Sequence, residues 1–380
     1  MRFFSLFCGG MADEPREELS GRTPLEVAKT PFIDSLLKTG RVGSVNFIPR
    51  TLSPSAEIAC MALLGYDPAE YYTGLAPLEA MGMGISQDDR DVAFRCDFVT
   101  VADDTFVDVA GRISRKEFDR LAGDLSAGIG DAVLKFYPAD ENRGILIFKD
   151  SSASEELDDL ECVPPPRAAG QKISKILPQG KGALILKEVV DKAKKILDNH
   201  EINRVRIDLK ENPANMIWLW GQGKRPKLPA FSERFGVRGR VVSEALSVCG
   251  LAQSCGLGTA GNLSEALKAE EEFIFAYLPA KNGALKEKIR RIEEFDAHIV
   301  GPVCRYVAKH PESRILLGTD LVWPAGQPAP QVGDVPFLLQ GPGIEAAPGE
   351  RYAENAITRH KRFAVDEGHK LLSILFGKNK

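Results

Sequence analysis

Histidine and cysteine are the side chains of this sequence best suited to metal binding or nucleophilic chemistry, and their spacing argues against a metal cluster. Of the five histidines, four fall on predicted helices or their ends, and none stands beside a carboxylate at the end of a predicted strand. The seven cysteines include no Cys-x-x-Cys pair. We therefore expect reduced thiols rather than a disulfide framework or a zinc site.

Strand and helix patterns alternate along much of the chain. Short apolar runs at residues 3–7, 239–242 and 273–278 predict strands, and the apolar spacing at residues 184–200 and 284–309 predicts long amphipathic helices. The alternation is typical of an α/β protein. A final helix is predicted at residues 365–376.

A strand-rich segment between residues 91 and 148 differs from this alternation and indicates a second domain. We predict a core formed by residues 1–75 and 180–380, with a smaller α+β domain inserted at 76–179. The run Pro164-Pro165-Pro166 near the exit of the insert is the predicted linker.

Composition excludes several classes of partner. The 380 residues carry a net charge of −4, so no general basic field attracts nucleic acid or an anionic membrane. No apolar run approaches the roughly 18 residues of a membrane-spanning helix. The short apolar run at the N-terminus is a poor signal peptide. We therefore expect a cytoplasmic protein that binds neither nucleic acid nor membrane.

Several long segments are idiosyncratic enough to indicate a family. They are GGMADEPREELSGRTPLEVAKTP at residues 9–31, LLGYDPAEYYTGLAPLEAMGMGI at 63–85, NPANMIWLWGQGKRP at 212–226, VPFLLQGPG at 335–343 and DEGHKLL at 366–372. Together they resemble the archaeal-type, cofactor-independent (2,3-bisphosphoglycerate-independent) phosphoglycerate mutases. The resemblance covers nearly the whole chain.

This resemblance implies an alkaline-phosphatase-like fold, with a doubly wound α/β core sheet and an inserted smaller α+β domain. It also implies the glycolytic interconversion of 3-phosphoglycerate and 2-phosphoglycerate through a phosphoserine. Family members use two divalent metals (Mn, Mg or Zn). Such metals hold a serine as an alkoxide near neutral pH and neutralise charge on the phosphoryl oxygens.

The nucleophile of the family lies in a Gly-Ser-Asp-x-Ala motif shortly before Leu-Leu-Gly-Tyr-Asp-Pro. Counting back from Leu63 places Ala56 where the nucleophilic serine belongs. Alanine has no oxygen to accept a phosphoryl group. Its neighbour Ser55 is rotated by about 100° at a helix start and is better interpreted as an N-cap, with Glu57 in the first turn.

The metal ligands implied by the family are also largely replaced. Gly9 occupies the position of the first aspartate, and Leu321 replaces the histidine that follows the conserved Asp320. The family's Asp/His run corresponds to residues 279–283, which offer neither ligand. Two further ligands align with Leu246 and with Pro330 or Gln331. The alternative is that Asp13 or Cys8 takes over as a ligand.

Basic and amide residues outside the metal centre are better preserved in the segments that resemble the family. The functional interpretation is an anion-binding cleft between the domains, and the alternative is a set of surface or structural ion pairs. The residues are Arg95, Arg112, Arg206, Asn215, Lys224, Arg225 and Arg238. Trp218 and Trp220 alternate along one strand and are expected to pack in a core.

We therefore expect a degenerate, non-catalytic homologue of the mutases that needs no metal cofactor and binds a small phosphorylated ligand or a partner. The partner is expected to be a second copy of the chain or an intact paralogue. The alternative is an active phosphotransferase, mutase or homoserine-kinase-like, that uses relocated residues such as Ser55 and Asp320.

Overall fold

The first strand, Phe3–Cys8, lies in the middle of the larger sheet, and all six of its residues are buried. An apolar run without polar alternation is typical of a parallel strand that is covered on both faces. The strand pairs in parallel with Phe273–Leu278 on one side and with Arg314–Gly318 on the other. The computed structural model describes residues 1–109, 113–139, 142–149, 152–281, 283–347, 351–355 and 363–378.

The strands of the described residues are numbered in chain order. They are β1 (Phe3–Cys8), β2 (Arg41–Val45), β3 (Val92–Ala102), β4 (Thr105–Val109), β5 (Leu134–Pro138), β6 (Arg143–Phe148), β7 (Met216–Gly223), β8 (Gly239–Val242), β9 (Gly258–Ala260), β10 (Phe273–Leu278), β11 (Arg314–Gly318), β12 (Val335–Gln340) and β13 (Ala364–Val365).

The helices are numbered in the same way. They are α1 (Pro24–Val27), α2 (Pro31–Leu37), α3 (Ala56–Leu63), α4 (Pro68–Tyr71), α5 (Leu75–Gly82), α6 (Arg115–Ile129), α7 (Ser154–Asp158), α8 (Pro165–Ala168), α9 (Ile173–Ile176), α10 (Lys181–Asp198), α11 (Glu201–Asp208), α12 (Phe231–Phe235), α13 (Leu246–Ser254), α14 (Leu263–Lys268), α15 (Leu285–Phe295), α16 (Gly301–Val307) and α17 (Leu371–Leu375). None of the described helices is both long and apolar enough to cross a membrane.

The chain forms two compact units, of which the larger comprises Met1–Tyr72 and Lys227–Lys380. Its eight strands lie in the order β13-β2-β12-β11-β1-β10-β8-β9. The strands from β11 to β9 are parallel, whereas β12 runs antiparallel to both β11 and β2. The carboxyl ends of β1, β10 and β11 therefore meet at one edge of the sheet, which is where open α/β sheets bind ligands.

The smaller unit is Thr73–Pro226. Its sheet is antiparallel, with β3 paired to β4, β6 and β7, and β5 paired to β6. Helices α6 and α10 contribute Phe118, Leu121, Val189 and Ala193 to its apolar core. Ser114 begins α6 with a capping box, in which its hydroxyl accepts from the Glu117 amide and the Glu117 carboxylate accepts from the Ser114 amide.

The predicted domain boundary at residue 179 is wrong, because helix α10 and strand β7 belong to the smaller unit. Strand β7 pairs with β3 over residues 93–99, so the second unit cannot end before the last residue of β7. The predicted linker Pro164-Pro165-Pro166 is also wrong. These prolines lie inside the smaller unit, and Pro165 begins α8 and is buried.

Two predicted helices differ from the structure. The helix expected at 365–376 is shorter in the structure, because Val365 pairs with Val45 as part of β13, and a 3-10 turn at Gly368–Lys370 leads into α17. The backbone of Gly368 then lies close to Asn46 and Phe47. A Cβ at Gly368 would lie 2.8 Å from the Asn46 carbonyl oxygen. The helix expected at 284–309 is divided into α15 and α16 by a π-helical turn at Asp296–Val300.

Candidate active site at the carboxyl edge of the large sheet

Asp320 is the acidic side chain at the centre of this edge, two residues after β11, and it is buried. Its Oδ1 accepts the Gly10 amide at 2.7 Å, and its Oδ2 accepts the Tyr277 hydroxyl at 2.7 Å. Burial raises the pKa of Asp320 to about 6, and the two hydrogen bonds oppose that rise. Each carboxylate oxygen therefore has a donor from the protein itself.

Gly9 follows β1, and the space beside its Cα is filled. A Cβ at this position would lie 2.6 Å from the Ala280 amide nitrogen and 2.7 Å from the Tyr277 hydroxyl oxygen. These separations are shorter than van der Waals contact, so an aspartate at position 9 has no room while Tyr277 keeps its place. The hydroxyl of Tyr277 thus occupies the space where a side chain of residue 9 would extend.

Asp13 is the second buried carboxylate near this edge, and it is held by cations of the chain. Lys288 donates to its Oδ2 at 2.8 Å, and Arg16 donates to its Oδ1 from Nε at 3.0 Å. The amide of Ala325 also donates to Oδ2, at 2.9 Å. Lys288 uses its remaining protons on the carbonyl oxygens of Ala12 and Trp323. The ammonium is therefore fully satisfied, and Asp13 is neutralised internally.

Helix α3 begins at Ala56, with Ser55 in the N-cap position. The backbone position agrees with the prediction, but the Ser55 side chain makes no capping hydrogen bond. Its hydroxyl oxygen is buried and has no partner among the described residues. One turn further along, burial and the Asp320 charge raise the pKa of the Cys60 thiol well above its usual value.

A small cavity lies beside Gly9 and Gly10 at this edge. Its volume is about 20 Å³, which suits roughly one water molecule. Lys281 from the segment after β10, and Lys288 and Arg291 from α15, contribute to its lining. Cys8 also lines the cavity, but burial raises its pKa to about 12, so it remains a protonated thiol and a poor nucleophile or ligand.

These residues do not fit a divalent metal ion. Both oxygens of Asp320 and of Asp13 already accept hydrogen bonds from the protein, and Leu321 offers a buried apolar side chain. Over the whole described part of the chain, no group of three His, Cys, Asp or Glu side chains could hold a metal. Divalent sites in proteins need several such ligands. The contacts of Asp13 and Cys8 also argue against either residue as a replacement ligand.

Comparisons with known proteins agree with this fold. A model of the 2,3-bisphosphoglycerate-independent phosphoglycerate mutase family matches residues 38–203. The chain is 35% identical to the 2,3-bisphosphoglycerate-independent phosphoglycerate mutase of Methanothrix thermoacetophila over 99% of both chains. It is 33% identical, again over 99% of both chains, to a probable mutase of the same kind from Geobacter sulfurreducens.

This chain belongs to the 2,3-bisphosphoglycerate-independent phosphoglycerate mutase family. The structure of the cofactor-independent phosphoglycerate mutase of Thermoplasma acidophilum is similar, with a TM-score of 0.63, 25% identity and 99% of each chain covered. A Pyrococcus horikoshii protein shares the fold with a TM-score of 0.80 at 23% identity, over 100% of this chain and 98% of that one. The predicted α/β fold class is confirmed.

Three of the residues predicted to bind an anion have internal partners in the smaller unit. Arg95 contacts Asp97 at 3.1 Å and Glu79 at 3.3 Å, and its guanidinium lies over the Trp220 ring. Arg206 is buried and contacts Glu117 and Glu211; Asn215 bonds with the amide and the carbonyl of Val101. These contacts favour the structural interpretation over the anion-binding one for all three residues.

Of the other four predicted residues, two are exposed, one is half-buried and one lies outside the described residues. Lys224 lies 3.7 Å from Asp158, and Arg225 is exposed. Arg238 belongs to the larger unit and is exposed, and Arg112 lies outside the described residues. A role for Lys224, Arg225 and Arg238 in binding a ligand stays a prediction.

Sequence reasoning missed two residues that shape the edge, Tyr277 and Lys288. Tyr277 was hidden in the apolar run of β10, where aromatic residues are expected to be core. Lys288 lies in a predicted amphipathic helix, where a lysine is expected on the solvated face, yet only 11% of its side chain is exposed. Its spacing from Leu285 and Ile292, three and four residues away, places it on the apolar stripe, and this signal could have identified it.

Proposed function

We propose that this chain is a member of the mutase family without mutase activity, and that the edge of its large sheet is a packed structural region. The observation that carries the proposal is the pairing of Asp320 with the Tyr277 hydroxyl and the Gly10 amide. These two donors already bond the carboxylate oxygens that a metal ion would need as ligands. In addition, Ala56 stands at the position of the nucleophile and has no oxygen to carry a phosphoryl group.

The charge and space at the edge also support this proposal. Phosphoryl transfer requires positioned cations around a phosphoryl group and room for the group itself. Lys288 is committed to Asp13 and to two carbonyl groups, so it is not free for a substrate. The cavity of about 20 Å³ beside Gly9 is too small for a phosphoglycerate.

We propose further that the chain retains the capacity to bind a small phosphorylated ligand through Arg225 and Lys224. Arg225 is exposed, and the Lys224 ammonium lies at 3.7 Å from its acidic partner, which is longer than a strong ion pair. Titration calorimetry with 3-phosphoglycerate tests this role. Arg225→Ala should weaken binding, whereas the matched change Arg115→Ala on α6 should not.

The experiment that tests the loss of activity measures conversion of 3-phosphoglycerate to 2-phosphoglycerate with excess Mn²⁺, coupled to enolase. An intact family member serves as the positive control. We expect no turnover above a heat-inactivated blank. Clear turnover would show that the metal site and nucleophile are built from other residues.

A second candidate function is an active phosphotransferase with Ser55 as a relocated nucleophile. The buried and unpartnered Ser55 hydroxyl favours it, because such a group usually has a hydrogen-bond partner. Incubation with 3-phosphoglycerate or with ATP and homoserine, followed by mass spectrometry, would reveal phosphate on Ser55. Ser55→Ala should then abolish both the modification and any turnover. Absence of the modification under both conditions excludes this candidate.

A further inference from the structure

The smaller unit contains a cavity of about 630 Å³ that the family chemistry does not use. We name it the β7 cavity. It lies between one face of the sheet, the helix α10 and the segment that leads into α10 from α9. Its walls include Val101, Ile173, Leu177, Ala183, Val190 and Trp218. Sites for small organic molecules have volumes of this size and largely apolar walls.

The segment before α10 lines the cavity and borders open space. Gly180 is the N-cap of the helix and has a φ of 106°, a conformation that L side chains rarely adopt. A Cβ at Gly180 would meet no atom within 4 Å. Leu184 in the first turns of α10 also lines the cavity, yet 68% of it is exposed. An exposed leucine at the mouth of an apolar cavity indicates a surface that an apolar ligand would cover.

The polar groups of the walls are already bonded within the protein. The Trp218 indole nitrogen donates to the Val163 carbonyl at 2.7 Å, and the Ser174 hydroxyl donates to the Asp104 carboxylate at 2.6 Å. The interior therefore offers few free hydrogen-bonding groups. Met216 and Trp218, which line the cavity, are suited instead to contact with a planar aromatic ring.

The charge at the mouth of the cavity selects against anions. Lys187 and Lys194 are each neutralised by an aspartate four residues later, with Nζ–O distances of 2.6 Å. Asp103 remains an exposed carboxylate that makes no side-chain bond within the described structure, and Asp104 lies beside it. An excess of negative charge favours a neutral or cationic ligand over a phosphorylated one.

We propose that the β7 cavity is a binding site for a small aromatic molecule that is neutral or carries one positive charge. The apolar walls supply the affinity through burial of the ring. The carboxylates at the mouth of the cavity favour a neutral or cationic ligand over an anionic one. This site goes beyond the proposed function, because its ligand is not a phosphorylated compound.

Fluorescence titration with the neutral dye N-phenyl-1-naphthylamine tests the proposal on the full chain. We expect saturable binding of one dye per chain, and 3-phosphoglycerate should not displace it. The anionic dye 8-anilinonaphthalene-1-sulfonate has similar rings and should bind at least tenfold more weakly. Asp103→Asn should reduce the difference in affinity between the two dyes.

Variants of α10 locate the binding. Ala183→Trp should fill the cavity and weaken dye binding at least tenfold, whereas Ala127→Trp on the exposed face of α6 should leave it unchanged. Leu184→Asp provides a second test at an exposed position that a folded chain tolerates. The proposal is overturned if the wild type does not bind the neutral dye, or if both Ala183→Trp and Leu184→Asp bind it as the wild type does.

Discussion

The carboxyl edge of the large sheet and the β7 cavity differ in how completely side chains fill them. At the edge, Tyr277 bonds Asp320 and Lys288 bonds Asp13, and the cavity beside Gly9 has a volume of about 20 Å³. In the smaller unit, α10 and β7 leave about 630 Å³ bounded by apolar walls. The resemblance of the sequence places the family's chemistry at the first region, whereas the second has the room and the walls of a binding site. Membership of the family therefore fixes the fold but not which of the two regions holds a ligand.

The largest loss of stability should follow from removal of the Lys288 cation at the edge of the large sheet. Lys288→Met leaves the buried Asp13 with one cation fewer, and a buried carboxylate that loses its partner costs about 4 kcal/mol. The free energy of unfolding in urea measures this loss. Lys286→Met, at an exposed position of the same helix, is the control and should change stability little. A loss below about 1 kcal/mol for Lys288→Met would show that Asp13 does not need it.

The next effect concerns pH and Asp320. Because its pKa is raised from 3.8 to about 6, the folded chain binds more protons than the unfolded chain between these values. Stability should therefore fall by about 3 kcal/mol as the pH rises from about 4 to above 6. The neighbouring Tyr277, Cys60 and Cys8 have raised pKa values and stay neutral in this range.

Asp320→Asn isolates this contribution from other buried acids such as Glu354, whose pKa is also raised by burial. The difference in unfolding free energy between the wild type and the variant should change across this pH range. Equal pH profiles for the two proteins would contradict a buried, protein-bonded Asp320.

A smaller loss should follow from removal of the hydroxyl that satisfies Asp320. Tyr277→Phe keeps the ring and leaves Oδ2 of Asp320 without its donor, which costs about 2 kcal/mol at neutral pH. Below pH 4 the loss should shrink, because the protonated carboxyl group is less dependent on a donor. Tyr137→Phe, at a half-buried position of β5, is a matched control for loss of a hydroxyl.

The smallest effects should come from two substitutions that add atoms, one at each of the two regions. Gly9→Ala should cost about 1.5 kcal/mol, because its Cβ would lie 2.6 Å from the Ala280 amide nitrogen. Ala183→Trp adds a far larger side chain, yet it should cost less than about 1 kcal/mol, since the β7 cavity has room. Thermal unfolding of both variants provides the test. A larger loss for Ala183→Trp than for Gly9→Ala would reverse the comparison.

The strands at the centre of the fold could be predicted because their sequences are continuous apolar runs. The predicted strands at residues 239–242 and 273–278 agree with β8 and β10, and the strand at 3–7 agrees with β1 to within one residue. The extent of the smaller unit could not be predicted in this way. It depends on the pairing of β7 with β3, which are more than a hundred residues apart in the sequence.

The candidate site was only partly predictable for a related reason. The positions of Gly9, Ala56 and Leu321 follow from resemblance along the chain, but what fills the space beside them does not. Tyr277 reaches Asp320 only because β10 and β11 both flank β1. The ion pairs of Arg95 and Arg206 likewise depend on contacts between elements that are distant in the sequence.

Equilibrium dialysis against Mn²⁺, with the metal content of the protein measured afterwards, tests whether the protein's own groups occupy the edge of the large sheet. We expect no saturable Mn²⁺ binding by this chain, and two bound ions in an intact family member treated in parallel. Stoichiometric binding of Mn²⁺ that is lost in Asp320→Asn would contradict this expectation.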